Sequence, residues 1–388
     1  MSPTKVAVIG VGLTECAEDR SDTSFPELVR EASTRALADA GLSMADVDAV
    51  VFGQSPELFV GVNQPEKWVT DALGAVGKPL FRIHTGGTVG ASTGIAAYYH
   101  VASGLFRTVL AVAGDKLSES PVQYGLSTVY DPIVGRDFAC GAPAAVALQS
   151  RRYMARTGVT ERHGAMVAVK NRKNALKNPY AHLKIPGISI EMVLASPMIS
   201  SPLRLLDSCP VSDGACAMVF AAEKVALERS PRPAWVRAVS AVNEGVNYPD
   251  REWANPIGLR QAAANAYRQA GIKNPREEID VAEVYEAFSY QELLWSEALG
   301  FCGEGKGGEL VESGATQIGG NIPINPSGGV LSTNAIGATA MFRQAEAVLQ
   351  IQGKAGEHQV AGARTALAHG WGGAIQFHTV MILSSERP

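Results

Sequence analysis

Ala38-Asp39-Ala40-Gly41, running on to Asp46-Val47-Asp48, and Arg268-Gln269-Ala270-Gly271, running on to Ile279-Asp280-Val281, are two stretches of one kind. In each, an apolar helical pattern stops at a glycine, the residue that takes the left-handed conformation of a helix end without penalty, and a strand pattern follows. Upstream of the first lie a buried strand, Val6 to Gly10, and a helix, Phe25 to Ala40. Its apolar positions are Leu28, Val29, Ala32, Ala36 and Ala40, and a second strand follows at Val47 to Phe52. Upstream of the second, Trp235 to Val242 reads as a strand, Ile257 to Ala270 as a helix, and Asp280 to Tyr285 as the next strand. Strand, helix and strand at this spacing predict parallel pairing through a right-handed crossover. One plan used twice predicts a duplicated α/β architecture; taken alone, the repeat fits two independent α/β domains equally well.

The rest of the composition is permissive. The chain has 388 residues, 46% hydrophobic and 19% charged, with a net charge of -4, so it can bury a large core. No basic face points to nucleic acid, and no polybasic or long apolar run points to a membrane. The five cysteines, Cys16, Cys140, Cys209, Cys216 and Cys302, are odd in number and include no CxxC pair. They argue against a disulfide framework or a structural zinc, and for a reducing compartment. The opening Met1-Ser2-Pro3-Thr4-Lys5 lacks the shape of a signal peptide, so a cytoplasmic location is expected. Residues 118–210 mix Pro, Tyr, Arg, Lys and Asn irregularly, and we read them as a long excursion that covers one face and carries substrate loops. Its basic run Lys170-Asn171-Arg172-Lys173 reads as a solvated face, with contact to the phosphates of a ligand as the sharper alternative.

Four segments carry a resemblance. Gly86-Gly87-Thr88-Val89-Gly90-Ala91 opens an Ala-rich helix ending near Gly104, and Glu283-Val284-Tyr285-Glu286-Ala287-Phe288 ends the last predicted strand. Asn325-Pro326-Ser327-Gly328-Gly329 precedes Thr333-Asn334-Ala335-Ile336-Gly337-Ala338-Thr339, and Ala368-His369-Gly370-Trp371-Gly372-Gly373 lies near the C-terminus. They resemble the active-site loops of the thiolase superfamily, in the sterol-carrier-protein-type branch. Asn171 to Tyr180 and Cys209 to Ala217 look like the same branch. The catalytic cysteines are missing. Gly87 stands where the family has its nucleophile (Ala91 if the match slides by one helical turn), Ala287 at the second cysteine, and Asn334 at a histidine.

The resemblance implies a thiolase fold: two duplicated α/β halves, 1–232 and 233–388, in a five-layered αβαβα arrangement, with an inserted loop domain at about 118–210. Glycine cannot carry an acyl group, so a covalent cysteine step is absent. Thr88 or Ser92 as replacement nucleophiles would need an adjacent base. The chain also resembles the lipid-transfer-protein-type steroid aldolases. That likeness implies retro-aldol cleavage of a 3-hydroxyacyl-CoA to a ketone or aldehyde and a shorter acyl-CoA. The alternatives are an acyltransferase with an unusual nucleophile and a non-catalytic acyl-CoA-binding subunit. Tyr285 is the candidate acid or base, with His369 and Asn334 beside it. Gly87, Gly329, Gly373 and His84 are candidate substrate-binding positions, and Glu286 a loop-fixing one. No metal or cofactor is expected, CoA being part of the substrate. A homodimer and a small OB-fold/zinc-ribbon partner are the implied assemblies. No second tyrosine appears in the Asn334 to Thr339 loop.

Overall fold

The structure, a computed structural model, describes residues 4–133, 135, 141–246 and 250–388; Cys140 and the first three residues lie outside them. Its strands are β1 (Val6–Leu13), β2 (Ala49–Gly53), β3 (Leu80–Ile83), β4 (Thr108–Lys116), β5 (Met198–Ser200), β6 (Leu203–Arg204), β7 (Asp213–Ala222), β8 (Ala234–Asn243), β9 (Val281–Glu283), β10 (Thr365–Gly372) and β11 (Phe377–Ser384). Nine of them follow the order β3-β2-β4-β7-β1-β8-β11-β10-β9, and β5 and β6 form a separate ribbon. The order is duplicated about its middle. β1, β7, β4 and β2 are answered by β8, β11, β10 and β9, and β3 is added at one edge. The halves meet where β1 pairs antiparallel with β8 through Ala7 with Trp235 and Val8 with Ala234.

The predicted crossovers need one correction. β1 and β2 run in the same sense but are not neighbours: β7, antiparallel to both β1 and β4, and then β4, parallel to β2, stand between them. β11 and β10 separate β8 from β9 in the same way. The predicted strand Asp280 to Tyr285 is shorter, because β9 stops at Glu283 and leaves Tyr285 in the loop beyond.

The layers follow from which faces are apolar. The helix Phe25–Asp39 covers β1, β4 and β7, and the helix Ile257–Ala270 covers β8 and β11. Between the two halves of this sheet lie the helices Val89–Ala102 and Ile336–Gln352, packed on each other and on strands of both halves. This gives a five-layered αβαβα stack. Every residue of Ile336–Gln352 is buried, and strands such as β4 and β7 are apolar and buried almost end to end, as layers covered on both faces must be. The two central helices cross where Gly90 permits contact: a Cβ there would lie 2.7 Å from Met341 N and 2.8 Å from Gly337 O. The polar residues of the central helix are paired, since an unpaired buried charge costs several kcal/mol. Arg343 donates to Glu283 and Ser327, while Glu346 accepts from Asn178 and His358.

The middle excursion is not irregular. Its described part holds the helices Val122–Ser127, Gly141–Thr157, Glu161–Ala175 and Ile190–Ala195, plus the β5–β6 ribbon. Its basic run is not a solvated face either. Lys170 is buried against Glu292 and the Ile324 carbonyl, and Arg172 donates to the carbonyls of Leu331, Leu206 and Ser208. Only Lys173 of the run's cations is exposed. Among the described residues, no helix is long and apolar enough to cross a membrane, and no group of His, Cys, Asp and Glu could hold a metal.

Candidate active site

A cavity of about 220 Å³ opens between the sheet ends and the middle excursion. Gly87, Tyr285, Asn334 and Gly373 all line it, although they lie far apart in the chain. The aliphatic wall comes from Val122, Leu126, Val129, Ile199 and Leu205 of the excursion, with Ile336 and Ile375. None of the described lining residues is a carboxylate, an imidazole or an ammonium group.

The geometry centres on Gly87. A Cβ built there would lie 3.5 Å from the Tyr285 hydroxyl, 3.2 Å from Trp371 O and 3.5 Å from Gly372 Cα. The phenol therefore occupies the space that a side chain at position 87 would enter. Of the two positions the resemblance allows for the nucleophile, Gly87 lines the cavity and Ala91 does not. The two hydroxyls weighed as nucleophiles point elsewhere. Thr88 Oγ1 is 3.1 Å from Thr379 Oγ1, and Thr85 Oγ1 donates to Ser92 Oγ at 2.8 Å. Neither lines the cavity.

Tyr285 is almost fully buried. Burial, with the nearby Cys209 thiol, pushes its phenol well above the ordinary value of 10.0, against a smaller lowering from its hydrogen bond with Thr339. At neutral pH it is a proton donor. Asn334 is oriented from both ends: its Oδ1 accepts from Thr339 Oγ1 at 3.0 Å, and its Nδ2 donates to Cys209 Sγ at 3.2 Å. Cys209 lines the cavity too, but burial pushes its thiol up to about 12, so it is not a thiolate at neutral pH. Cys209, Thr339 and Trp371 were missed from sequence. The motif match covered each of them, but nothing in it distinguished a wall residue from a packed one.

The remaining candidates are placed elsewhere. His369 is buried on β10 behind Tyr285, off the cavity wall, where its Nδ1 accepts from the Tyr285 N–H at 3.4 Å. Burial and the neighbouring His378 hold it well below the ordinary imidazole value, so it is neutral. Gly329, with φ of 65°, sits under Glu286 rather than under a ligand: a Cβ there would come within 2.1 Å of Glu286 Oε1. Glu286 accepts from Asn171, Asn325 and the Leu331 N–H, and burial with the adjacent Glu292 raises it to about 8. It fixes the loops, as its sequence position suggested. His84 is exposed and outside the cavity lining.

Comparison with known proteins extends this picture. Residues 6–224 match the family described as "Thiolase, N-terminal domain", and residues 244–385 match "Thiolase C-terminal domain-like". An acetyl-CoA acetyltransferase of Methanothermobacter thermautotrophicus is 35% identical over 387 residues, 98% of this chain and 99% of that one. A 17-hydroxy-3-oxo-4-pregnene-20-carboxyl-CoA lyase of Mycobacterium tuberculosis is 32% identical over 369 residues, 90% of this chain and 92% of that one. Among solved structures, an "Ltp2-ChsH2(DUF35) aldolase" superposes with a TM-score of 0.86 at 28% identity, covering 99% of this chain and 98% of that one.

Proposed function

Because the chain belongs to the thiolase family, we propose that it is a carbon–carbon lyase that cleaves a 3-hydroxyacyl-CoA by retro-aldol chemistry, without a covalent cysteine intermediate. One observation carries the proposal. The position where the resemblance places the nucleophile is glycine, and the Tyr285 hydroxyl fills the space beside it.

The reaction balances as follows. The 3-hydroxyl loses its proton and becomes the carbonyl of a ketone or aldehyde. The Cα–Cβ bond breaks, and its electron pair stays on Cα as a thioester enolate. A proton is then delivered to Cα, so the net change is transfer of one proton from oxygen to carbon. A phenol held neutral by burial suits the last step, or hydrogen bonding to the enolate oxygen, better than the first. Gly87 and Gly373 let backbone come close to the thioester, and the oriented Asn334 amide stands beside them. The described lining residues include no charged base, and the proposal places the acceptor of the 3-hydroxyl proton on a partner chain. The two-component description of the Ltp2-ChsH2(DUF35) relative supports an assembly with a second chain; the small OB-fold/zinc-ribbon partner and the homodimer are what the resemblance to the steroid aldolases implies. The apolar wall favours a lipid or steroid acyl group, in keeping with the lyase relative's substrate.

The acetyltransferase relative favours a second reading, acyl transfer. That reading needs a nucleophile in place of the missing cysteine, and among the described lining residues the one thiol is Cys209, which burial pushes up to about 12. The two readings separate by experiment. The protein is incubated with a 3-hydroxyacyl-CoA, and carbonyl product and shortened acyl-CoA are followed by mass spectrometry. Tyr285→Phe should keep its melting temperature and lose roughly 10²–10⁴-fold in cleavage, the usual worth of a general acid or base. Cleavage by Tyr285→Phe at the parent rate refutes the assignment of Tyr285.

A further inference from the structure

The backbone of Tyr285 lies beyond the end of β9, in a loop where no ladder bonds hold it. Aromatic side chains hold it instead. Its carbonyl accepts from Trp295 Nε1 at 2.9 Å and from Trp371 Nε1 at 2.8 Å, while its N–H donates to His369 Nδ1 at 3.4 Å. An indole has one donor and no acceptor, so both tryptophans spend their only polar atom on this one carbonyl and occupy both of its lone pairs. The rings also brace one another. Trp295 lies 5.5 Å from His369 and 6.4 Å from Trp371 between centroids, and Trp371 lies 5.5 Å from the Tyr285 ring. Trp371 lines the cavity. Trp295, fully buried on the helix Ser289–Ala298, does not.

We infer that Trp295 is a positioning residue for the reaction: its indole N–H fixes the Tyr285 peptide and thereby sets the phenol against the Gly87 backbone. The inference rests on the reading of Tyr285 as the reacting hydroxyl. Hydroxyl placement is the quantity at stake, because a displacement of about 1 Å at a reacting group can cost about 10²-fold in rate. Trp295 does not itself line the cavity, so its loss should act on turnover and leave substrate binding alone.

The experiment is a double-mutant cycle on 3-hydroxyacyl-CoA cleavage, with the parent, Trp295→Phe, Tyr285→Phe and the pair, reading kcat and KM separately. To guard against a folding defect at so large a buried side chain, a fifth protein carries β-(3-benzothienyl)alanine at position 295. That residue replaces the indole N–H by sulfur at nearly constant shape. Both position-295 proteins should lose about 10–10²-fold in kcat with KM unchanged. Trp295→Phe should cost nothing further once Tyr285 is already Phe. An equal loss in both backgrounds overturns the inference, since the effect then bypasses the phenol. Parent-like kcat in the benzothienyl protein overturns it as well. If Tyr285→Phe cleaves like the parent, the assignment of Tyr285 falls first, and the positioning role falls with it.

Discussion

Gly87→Ala is the sharpest test of the geometry, because it adds one carbon at the point on which the proposed chemistry turns. The new methyl would lie 3.2 Å from Trp371 O and 3.5 Å from both Gly372 Cα and the Tyr285 hydroxyl. The first distance is tight, and the neighbour is backbone on β10, so relief requires a shift of a few tenths of an ångström. Overpacking of this kind costs about 1–3 kcal/mol. Replacing glycine stiffens the unfolded chain and returns about 0.4–1 kcal/mol. The net loss of stability is therefore about 0–2.6 kcal/mol, a few degrees of melting at most. Activity should respond far more. A proton donor must stand about 2.6–3.2 Å from the atom it serves, and the methyl takes up the space next to the phenol where that atom would sit. A displacement of about 1 Å predicts a loss near 10²-fold. Thermal melting and cleavage of a 3-hydroxyacyl-CoA, run on the same preparation, separate the two effects. A Gly87→Ala protein that cleaves at the parent rate would mean that the reaction does not take place between Gly87 and Tyr285.

Three further outcomes are expected. Acetoacetyl-CoA with CoA should give no acetyl-CoA, and Cys209→Ala should still cleave a 3-hydroxyacyl-CoA; loss of all turnover in that variant would restore a cysteine mechanism. Substitution is the right probe here, because Cys209 lines the cavity and its alkylation would block the site by bulk alone. Lys170→Ala strands Glu292 beside Glu286 and should cost about 3–5 kcal/mol in urea unfolding; a loss under about 1 kcal/mol, the worth of a surface pair, would contradict the buried network. Burial raises the Asp115 carboxyl from its ordinary 3.8 to about 7, so the fold keeps a proton that the unfolded chain releases near pH 4. That stabilisation is complete below about pH 4 and is lost as the pH climbs to about 7, at up to about 1.4 kcal/mol per unit. Asp115→Asn should flatten this part of the stability profile, and parallel profiles from pH 4 to 7 would exclude the effect.

The fold was legible because periodicity and punctuation are local. Gly41 and Gly271 mark two helix exits, and the paired patterns before them gave the duplication. Strand neighbours were not legible, since nothing local in β1 or β2 announces that β7, more than 150 residues on from either, will enter between β1 and β4. Charge misled for a related reason. Lys170 and Arg172 look solvated until Glu292 and a row of carbonyls, all distant in sequence, are brought around them. At the site, the motif loops located Gly87, Tyr285, Asn334 and Gly373 on one wall. The same loops supplied His369 and Gly329, which lie one layer back: His369 bonds the Tyr285 peptide, and Gly329 makes room for Glu286. A motif records that a residue belongs to a loop, not which face of the loop meets the ligand.

Glycine at 87 and tyrosine at 285 are best understood as one change in two places. With a cysteine at 87, the sulfur would extend from a Cβ already 3.5 Å from the phenol oxygen, and the two groups would contend for one space. With glycine alone and no phenol, the cavity would widen at its floor and leave no donor beside the backbone at 87. On the proposed reading, together they exchange a nucleophile for an acid and keep the helix, the glycine loops and the cavity around them. The exchange sets a limit as well as an opportunity. Burial makes the phenol a donor, and the described wall offers no charged group to take a proton. Retro-aldol cleavage requires both a donor and an acceptor, so if this chain is the lyase its geometry supports, the acceptor has to enter the cavity from outside this set of side chains. If that acceptor belongs to a partner chain, the partner should restore cleavage to an otherwise idle preparation and lose that power when a single base of its own is removed; full cleavage by this chain alone would refute that placement.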